Sequence, residues 1–124
     1  MKKTIFGLAL ACMFLFVGCS DENKAKSIAT QFLEDNLNED FSSSRVLKFD
    51  STKYISKEQI ANMQKLMGED KAFKKSISYQ PYNGKKLYYV RLQYKQKANK
   101  GKEKTIQTFY IDNEYKGVVA FKNN

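Results

Sequence analysis

The sequence lacks histidine and tryptophan, and it has only one proline and two cysteines. Without histidine the chain cannot build a Ser-His-Asp or Cys-His nucleophile system, or an imidazole zinc site. The cysteines, Cys12 and Cys19, both lie near the N-terminus, so the rest of the chain has no disulfide and no thiolate ligand. Neither a P-loop nor a Gly-x-Gly-x-x-Gly motif is present. We therefore expect no metal site, no cofactor and no catalytic residue.

The N-terminal residues have the pattern of an export signal. Lys2 and Lys3 precede an uncharged, mostly apolar run over residues 5–17. The run is shorter than the roughly 20 residues that a membrane-spanning helix needs, and it suits the apolar region of a signal peptide.

The run ends in Phe16-Val17-Gly18-Cys19, which resembles the bacterial lipobox. Gly18 and Cys19 match that pattern, whereas Phe16 departs from it because leucine is usual there. The resemblance implies that residues 1–18 are a cleaved signal peptide and that Cys19 carries a diacylglyceryl group. Two or more acyl chains would anchor the protein stably to a membrane. We therefore expect a lipid-anchored cell-envelope protein.

The acidic residues after Cys19 bear on its location. Residues 20–23, Ser-Asp-Glu-Asn, look like the tag that sends some Gram-negative lipoproteins to the cell surface. The same stretch also suits a soluble tether or a helix start. The expected location is the outer membrane, on its periplasmic or its surface face.

Residues 19–124 have the length of one small domain. Their charge is uneven, because residues 19–44 hold six acids and two lysines, whereas residues 45–124 hold eighteen lysines or arginines and seven acids. A basic body attracts anions in general. In the cell envelope these are anionic glycans, lipid head groups and acidic proteins, and we expect no nucleic acid partner. A lysine-rich soluble surface without a specific partner is the alternative.

Two amphipathic helices are predicted. In residues 21–37, apolar side chains recur at three- and four-residue steps. A second helix follows Ser56, which forms a capping-box pattern with Gln59, and it ends at Gly68. Ile55 and Ile60 hold the positions of a hydrophobic staple. The inward-facing residues of this helix are expected to be Ile60, Met63, Leu66 and Met67.

Five extended segments are predicted, at residues 45–54, 73–79, 87–94, 104–111 and 118–121. Residues 42–44, Ser-Ser-Ser, are expected to be a loop, and Leu47 and Phe49 are expected to share one face of the first strand. Asn83-Gly84 predicts a type I′ hairpin between the second and third strands. The acids of residues 112–114 are expected to lie in a solvated turn.

Helices followed by a run of strands indicate an α+β fold. We expect two short helices packed on a curved antiparallel sheet of four to five strands. This order of elements resembles the cystatin-like and NTF2-like superfamily, in which a helix packs into a bent sheet. The resemblance rests on element order across residues 21–121 and transfers no catalytic residue.

One face of the 87–94 strand is the candidate contact patch. Tyr88, Val90, Leu92 and Tyr94 alternate with more polar positions that include Tyr89, Arg91 and Lys95. Aromatic residues and arginine are enriched at protein interfaces, although tyrosine also has high strand propensity in its own right. The expected function is a non-catalytic binding module for an envelope protein or an anionic glycan, and the oligomeric state stays open.

The alternative is a small-ligand carrier or enzyme with an NTF2-like cavity, using paired carboxylates or Tyr with Asp. That alternative predicts an open pocket between the first helix and the sheet, with a buried polar group in it.

Overall fold

The computed structural model describes residues 20–52, 54–97 and 104–124, so Cys19 and the predicted leader lie outside the described residues. In chain order the elements are α1 (Asp21–Asn36), β1 (Phe41–Thr52), α2 (Lys57–Met67), β2 (Leu87–Gln96), β3 (Lys104–Ile111) and β4 (Val118–Asn123). The strands form one antiparallel sheet in the order β1-β2-β3-β4. The predicted α+β arrangement of two helices on an antiparallel sheet is confirmed, with four strands.

Both helices begin at a serine cap, and the cap of α2 is the predicted one. The Ser20 side chain accepts a hydrogen bond from the Asn23 backbone N–H at 3.2 Å and starts α1. At α2 the capping box is complete, because Ser56 Oγ accepts from the Gln59 backbone and Gln59 Oε1 accepts from the Ser56 backbone. Leu66 is 56% exposed, so its predicted inward orientation is wrong, whereas Ile60 and Met67 are buried.

The main core lies between α1 and one face of the sheet. Helix α1 contacts all four strands, and Phe32 and Leu33 are buried against that face. Phe121 lies at the centre of an aromatic cluster, with ring centroids 5.1 Å from Phe32, 4.9 Å from Phe73 and 5.4 Å from Phe109. Aromatic side chains therefore fill the interface between the helix and the sheet.

Helix α2 covers a different part of the molecule. It packs chiefly against β4, and a smaller core cluster joins Ile60 to Leu87, Val119 and Ala120. The Gln64 side-chain amide donates to the Val119 carbonyl oxygen at 2.8 Å. This helix therefore covers only one corner of the sheet face opposite α1. In the described part of the chain, no helix has both the length and the apolar character to span a bilayer.

The strand predicted at residues 73–79 is wrong. The segment forms only an isolated bridge between Phe73 and Leu37. Asparagine side chains take up its backbone groups: Asn38 Nδ2 donates to the Lys71 and Phe73 carbonyl oxygens, and Asn36 Oδ1 accepts from the Ser78 N–H. The segment therefore joins the core by its side chains without a strand partner.

The type I′ hairpin at residues 83–84 is absent as well. Gly84 has the positive φ that the motif requires, at 80°. Asn83 does not, and its side chain instead accepts from the Lys85 N–H and donates to Asn113. Without a preceding strand, the dipeptide makes a local turn.

Strand β1 begins earlier than predicted and contains two register shifts. The expected loop at residues 42–44 is part of the strand, where Ser43 has a φ of 59°. Two residues, Ser43 and Ser44, lie opposite the single residue Tyr94, and Leu47 is an extra residue between the paired positions Val46 and Lys48. β-bulges bend a strand and shift its alternation. Phe49 and Val46 consequently pack against the core, and Leu47 is not on their face.

Candidate binding surface on the open sheet face

The predicted patch residues lie on the sheet face opposite α1. Along β2, Val90, Leu92 and Tyr94 are fully buried, whereas the alternating residues Tyr89, Arg91 and Lys95 are only partly buried. Successive side chains of a strand point to opposite faces. Tyr89, Arg91 and Lys95 therefore lie on one face of the sheet, as predicted. Their role in binding stays a prediction.

Cross-strand register identifies the neighbours of this face. Lys48, Arg91, Thr108 and Lys122 form one row across the four strands. Side chains of directly paired residues lie on the same face. The next row holds Arg45, Gln93 and Ile106, and a third holds Ser42, Lys95 and Lys104.

We call the uncovered part of these rows the open sheet face. Its cations come from all four strands and lie beyond the corner that α2 covers. Within residues 20–52, 54–97 and 104–124 the salt bridges are Lys24–Asp21 and Lys116–Glu114, and neither involves this face. The open sheet face consists of Arg45, Lys48, Arg91, Gln93, Lys95, Lys104, Ile106 and Lys122.

Arg91 is held in place from one side. Its Nε donates to Thr108 Oγ1 at 3.3 Å, and the Thr108 hydroxyl donates to Asn124 Oδ1 at 2.6 Å. Thr108 is buried, with 1% exposure. The two terminal guanidinium nitrogens have no hydrogen-bond partner among the described residues. A guanidinium presents its N–H groups in a planar fork that suits carboxylate and sulfate oxygens. Arg91 is therefore an oriented cation with its fork available.

Lys95 contributes to a second anion-attracting feature. A shallow depression of about 220 Å³ is lined by Ser43, Arg45, Gln93, Tyr94, Lys95 and Lys104. Three of these side chains are cationic. The alternation along β2 identifies Lys95 in the sequence, but Arg45 and Lys104 reach it through the bulge and the register. In the sequence, Arg45 and Lys104 are indicated only by the basic charge of residues 45–124, which does not show where in the fold those charges lie.

Tyr89 lies at the border of the open sheet face. It pairs with Asp50 on one side and with Tyr110 on the other, where the ring centroids are 6.2 Å apart. Tyr110 in turn packs against the α2 cluster. Tyr89 therefore links the corner under α2 to the cationic rows, and it offers only part of its ring to a partner.

The tyrosine at the other end of β2 is structural. The Tyr94 hydroxyl donates to Gln107 Oε1 at 2.6 Å, and Gln107 Nε2 donates to Asn123 Oδ1 at 2.8 Å. Tyr94 and Gln107 are both fully buried. Burial also raises the pKa of the Tyr94 phenol above its ordinary value. This polar pair therefore fixes the register of β2, β3 and β4 within the core.

The acids predicted to lie in a solvated turn include one that is buried. Asp112 is 3% exposed, and its Oδ1 accepts from the backbone N–H groups of Lys116 and Gly117 at 2.6 and 2.9 Å. The prediction of a solvated carboxylate is wrong for Asp112, because its side chain caps the turn into β4. Among the described residues, no group of three or more His, Cys, Asp or Glu side chains is arranged to hold a metal ion.

A larger depression opens at the edge of the α1 interface. It has a volume of about 500 Å³, and its lining includes Phe32, Asn36, Tyr79, Gln80 and Lys116. The Tyr79 hydroxyl is buried without a hydrogen-bond partner among the described residues, and burial raises its pKa to about 12. Its lining comes from α1, residues 78–80 and residues 116–118, and it borders the aromatic core at Phe32 and Val118. We call it the lateral depression.

Comparisons with protein-family models, with curated proteins and with solved structures find no match to this chain. The predicted likeness to cystatin-like and NTF2-like proteins therefore stays a prediction.

Proposed function

We propose that this protein is a lipid-anchored, non-catalytic binding module of the cell envelope whose open sheet face binds an anionic partner. The observation that carries the proposal is the concentration of six cations on an uncovered sheet face, free of salt bridges among the described residues. Like charges gathered in this way create a local potential that attracts a multivalent anion. The lipid anchor is the Cys19 thiol, which keeps the module at a membrane.

The shape of the face favours an anionic glycan over an acidic protein. Arg91 and Lys95 are four residues apart on one strand, or about 13 Å, and neighbouring strands are about 4.8 Å apart. The cations are thus spread over a broad area, as an extended chain of repeated anionic groups requires. A protein partner needs a desolvated apolar centre. Among the described residues, the apolar side chains that the face and its border offer for that purpose are Ile106, part of Tyr89 and the partly exposed Leu47 at the β1 bulge.

The test compares two variants that lose the same charge. In Lys48→Gln/Arg91→Gln/Lys95→Gln, three cations of the open sheet face are removed. The control Lys65→Gln/Lys71→Gln/Lys74→Gln removes three exposed lysines from elsewhere. Binding of the membrane-extracted protein to immobilised dextran sulfate and to polygalacturonate is measured in increasing salt. We expect at least a tenfold loss of affinity for the first variant and less than a twofold loss for the control.

Two results would contradict the proposal. Equal losses in both triple variants would mean that net charge, and no particular face, attracts the polymer. Absence of wild-type binding to either polymer, with an acidic protein captured from envelope extract and lost in Tyr89→Ala/Arg91→Ala/Lys95→Ala, would replace the glycan by a protein. If that variant retains every captured protein at unchanged yield, the patch assignment is wrong.

The lipid anchor has its own test. Cys19→Ala is expected to leave an unprocessed protein that still carries residues 1–18 and incorporates no labelled fatty acid. Normal processing and labelling of this variant would rule out Cys19 as the anchor. A glycan-binding result does not depend on this outcome.

A small-ligand carrier is the second candidate, and the lateral depression supports it. The buried Tyr79 hydroxyl lies in its lining, and buried polar groups in native proteins usually have a partner. A neutral polar ligand that reached this hydroxyl would raise the melting temperature of the wild-type protein. The same ligand would have little effect on Tyr79→Phe, and this difference separates a carrier from a glycan-binding module.

A further inference from the structure

Helix α1 leaves almost no tether between the proposed anchor and the folded domain. Ser20 is the N-cap of α1, and its carbonyl oxygen accepts from the Lys24 N–H at 3.1 Å. One peptide bond joins Ser20 to Cys19, so their Cα atoms are about 3.8 Å apart. The start of α1 is also fixed to the domain, because Ala25, the fifth residue of the helix, is fully buried in the main core.

The start of α1 lies beside one end of the sheet. Lys24 Nζ is 5.8 Å from the centre of the Tyr115 ring, which stacks on Tyr88 at 4.8 Å. Lys86 Nζ lies 5.5 Å from the centre of the Tyr88 ring. The Asn83–Asn113 hydrogen bond joins the two loops at this end. We call the first turn of α1, residues 83–86 and residues 112–117 the anchor end.

We propose that the protein stands end-on at the membrane, with the anchor end against the lipid head groups and the open sheet face at its side, so that the Lys95–Lys104 row lies farthest from the bilayer. The inference rests on the proposed lipidation of Cys19. It assigns the bilayer surface as the partner of the anchor end, a surface distinct from the open sheet face.

The short reach of the chain disfavours an orientation in which the open sheet face lies flat on the bilayer. Packed layers of secondary structure lie about 10 Å apart, and α1 is on the far side of the sheet from the cations. If the open sheet face lay flat on the bilayer, the start of α1 would be more than about 10 Å above it. A single residue spans about 3.5 Å. Even with the several ångströms that the cysteine side chain and its glyceryl group add, the acyl chains would have to cross this gap and the head-group layer, which favours an orientation with the start of α1 next to the bilayer.

The end-on orientation also places the cationic rows. Strand β2 starts at the anchor end with Leu87 and runs for ten residues, or about 33 Å. Lys95 and its partner Lys104 therefore lie far from the head groups, where a glycan has access to them. The bilayer that holds Cys19 is consequently not the anionic partner of the open sheet face.

The chemistry of the anchor end suits a head-group layer. Lys24, Lys85, Lys86 and Lys116 provide ammonium groups that pair with lipid phosphates, and tyrosine rings are enriched at membrane interfaces. Asp21, Glu22 and Glu114 lie among these lysines and offset most of their charge. The short tether therefore sets the orientation, and charge adds little to it.

Single-cysteine labelling of the lipidated full-chain product tests the orientation. The mature sequence has no cysteine besides Cys19, so Lys85→Cys and Lys104→Cys each provide one free thiol for a fluorophore. Each labelled protein is reconstituted in phosphatidylcholine vesicles that contain a lipid with a nitroxide head group. We expect quenching at residue 85 to exceed quenching at residue 104 several-fold. A flexible Gly/Ser insert of about 15 residues between Cys19 and Ser20 should remove most of the difference.

Equal quenching at the two positions without the insert, or stronger quenching at residue 104, would overturn the end-on orientation. Failure of the purified protein to carry labelled fatty acid would overturn it as well, because its premise would be lost. If either result were obtained and the protein still bound polygalacturonate, the open sheet face would remain the proposed binding surface. The orientation proposal and the glycan-binding proposal can therefore be contradicted independently.

Discussion

The two faces of the sheet are built from the same four strands and have opposite characters. Under α1, Val90, Phe109 and Phe121 are completely buried and their neighbours are aromatic. On the other side, residues directly adjacent in sequence are cations, such as Arg91 and Lys122. Burial of apolar area stabilises a fold, whereas exposed like charges contribute no such stability. One set of positions therefore specifies the fold, and the alternate set is left for interactions.

The largest expected difference between the two faces concerns two consecutive residues of β4. Phe121→Ala removes the ring at the centre of the aromatic cluster, and a large buried aromatic replaced by alanine costs about 3–5 kcal/mol. Lys122→Ala removes an exposed side chain from the open sheet face, where changes are within about 0.5 kcal/mol. Urea unfolding of both variants measures the difference.

Phe121→Leu keeps the experiment informative if the alanine variant does not fold. It retains most of the buried volume and should fall between the wild type and Phe121→Ala. If Lys122→Ala destabilised the protein as much as Phe121→Leu, side chains on both faces of the sheet would stabilise the fold. The assignment of stability to the buried face alone would then be wrong.

The buried face could be predicted from the sequence because its signals are local. The alternation of Val90, Leu92 and Tyr94 needs only the period of a strand, and the Ser56–Gln59 capping box needs only four consecutive residues. Local rules of this kind do not depend on which segments meet in space.

The features that could not be predicted depend on contacts between segments that are distant in the sequence. The alternation over residues 73–79 is that of a strand, but Asn36 and Asn38 occupy its backbone groups, and nothing in the 73–79 sequence indicates this. The bulges of β1 moved Arg45 and Lys48 into register with β2. The charge of the open sheet face was therefore visible as composition, whereas its arrangement required the observed pairing of strands.

The pH dependence of stability tests whether Tyr79 is buried in the native protein. Its pKa of about 12 lies above the value near 10 of an exposed phenol, because burial disfavours the anion. Between about pH 10 and 12 the unfolded chain releases this proton while the native protein retains it. The unfolded state then binds fewer protons, so stability falls as the pH rises. Tyr79→Phe is expected to fall less steeply over that range.

The alkaline comparison requires an exposed tyrosine as its control. Tyr54 is 65% exposed, so Tyr54→Phe makes the same chemical change at a phenol that water already reaches. Thermal unfolding followed at several pH values from 8 to 12 provides the measurement. Identical slopes for Tyr79→Phe and the wild type would mean that the Tyr79 hydroxyl reaches water in the native protein, as an open ligand pocket requires.

The smallest expected effect concerns the cationic face itself. Lys48 and Arg91 are cross-strand partners, and like charges directly opposite each other destabilise a sheet slightly. Lys48→Gln should therefore raise stability at low salt by up to about 0.5 kcal/mol, and the gain should disappear at high salt because exposed charges are screened. The control Lys65→Gln lies in the last turn of α2, where a cation is favourable, so it should lower stability slightly. Opposite signs for the two lysines would show that the open sheet face retains its charge at a cost to folding, as a surface kept for an anionic partner does. If both substitutions changed stability in the same direction, the lysines of the open sheet face would behave as ordinary solvated side chains.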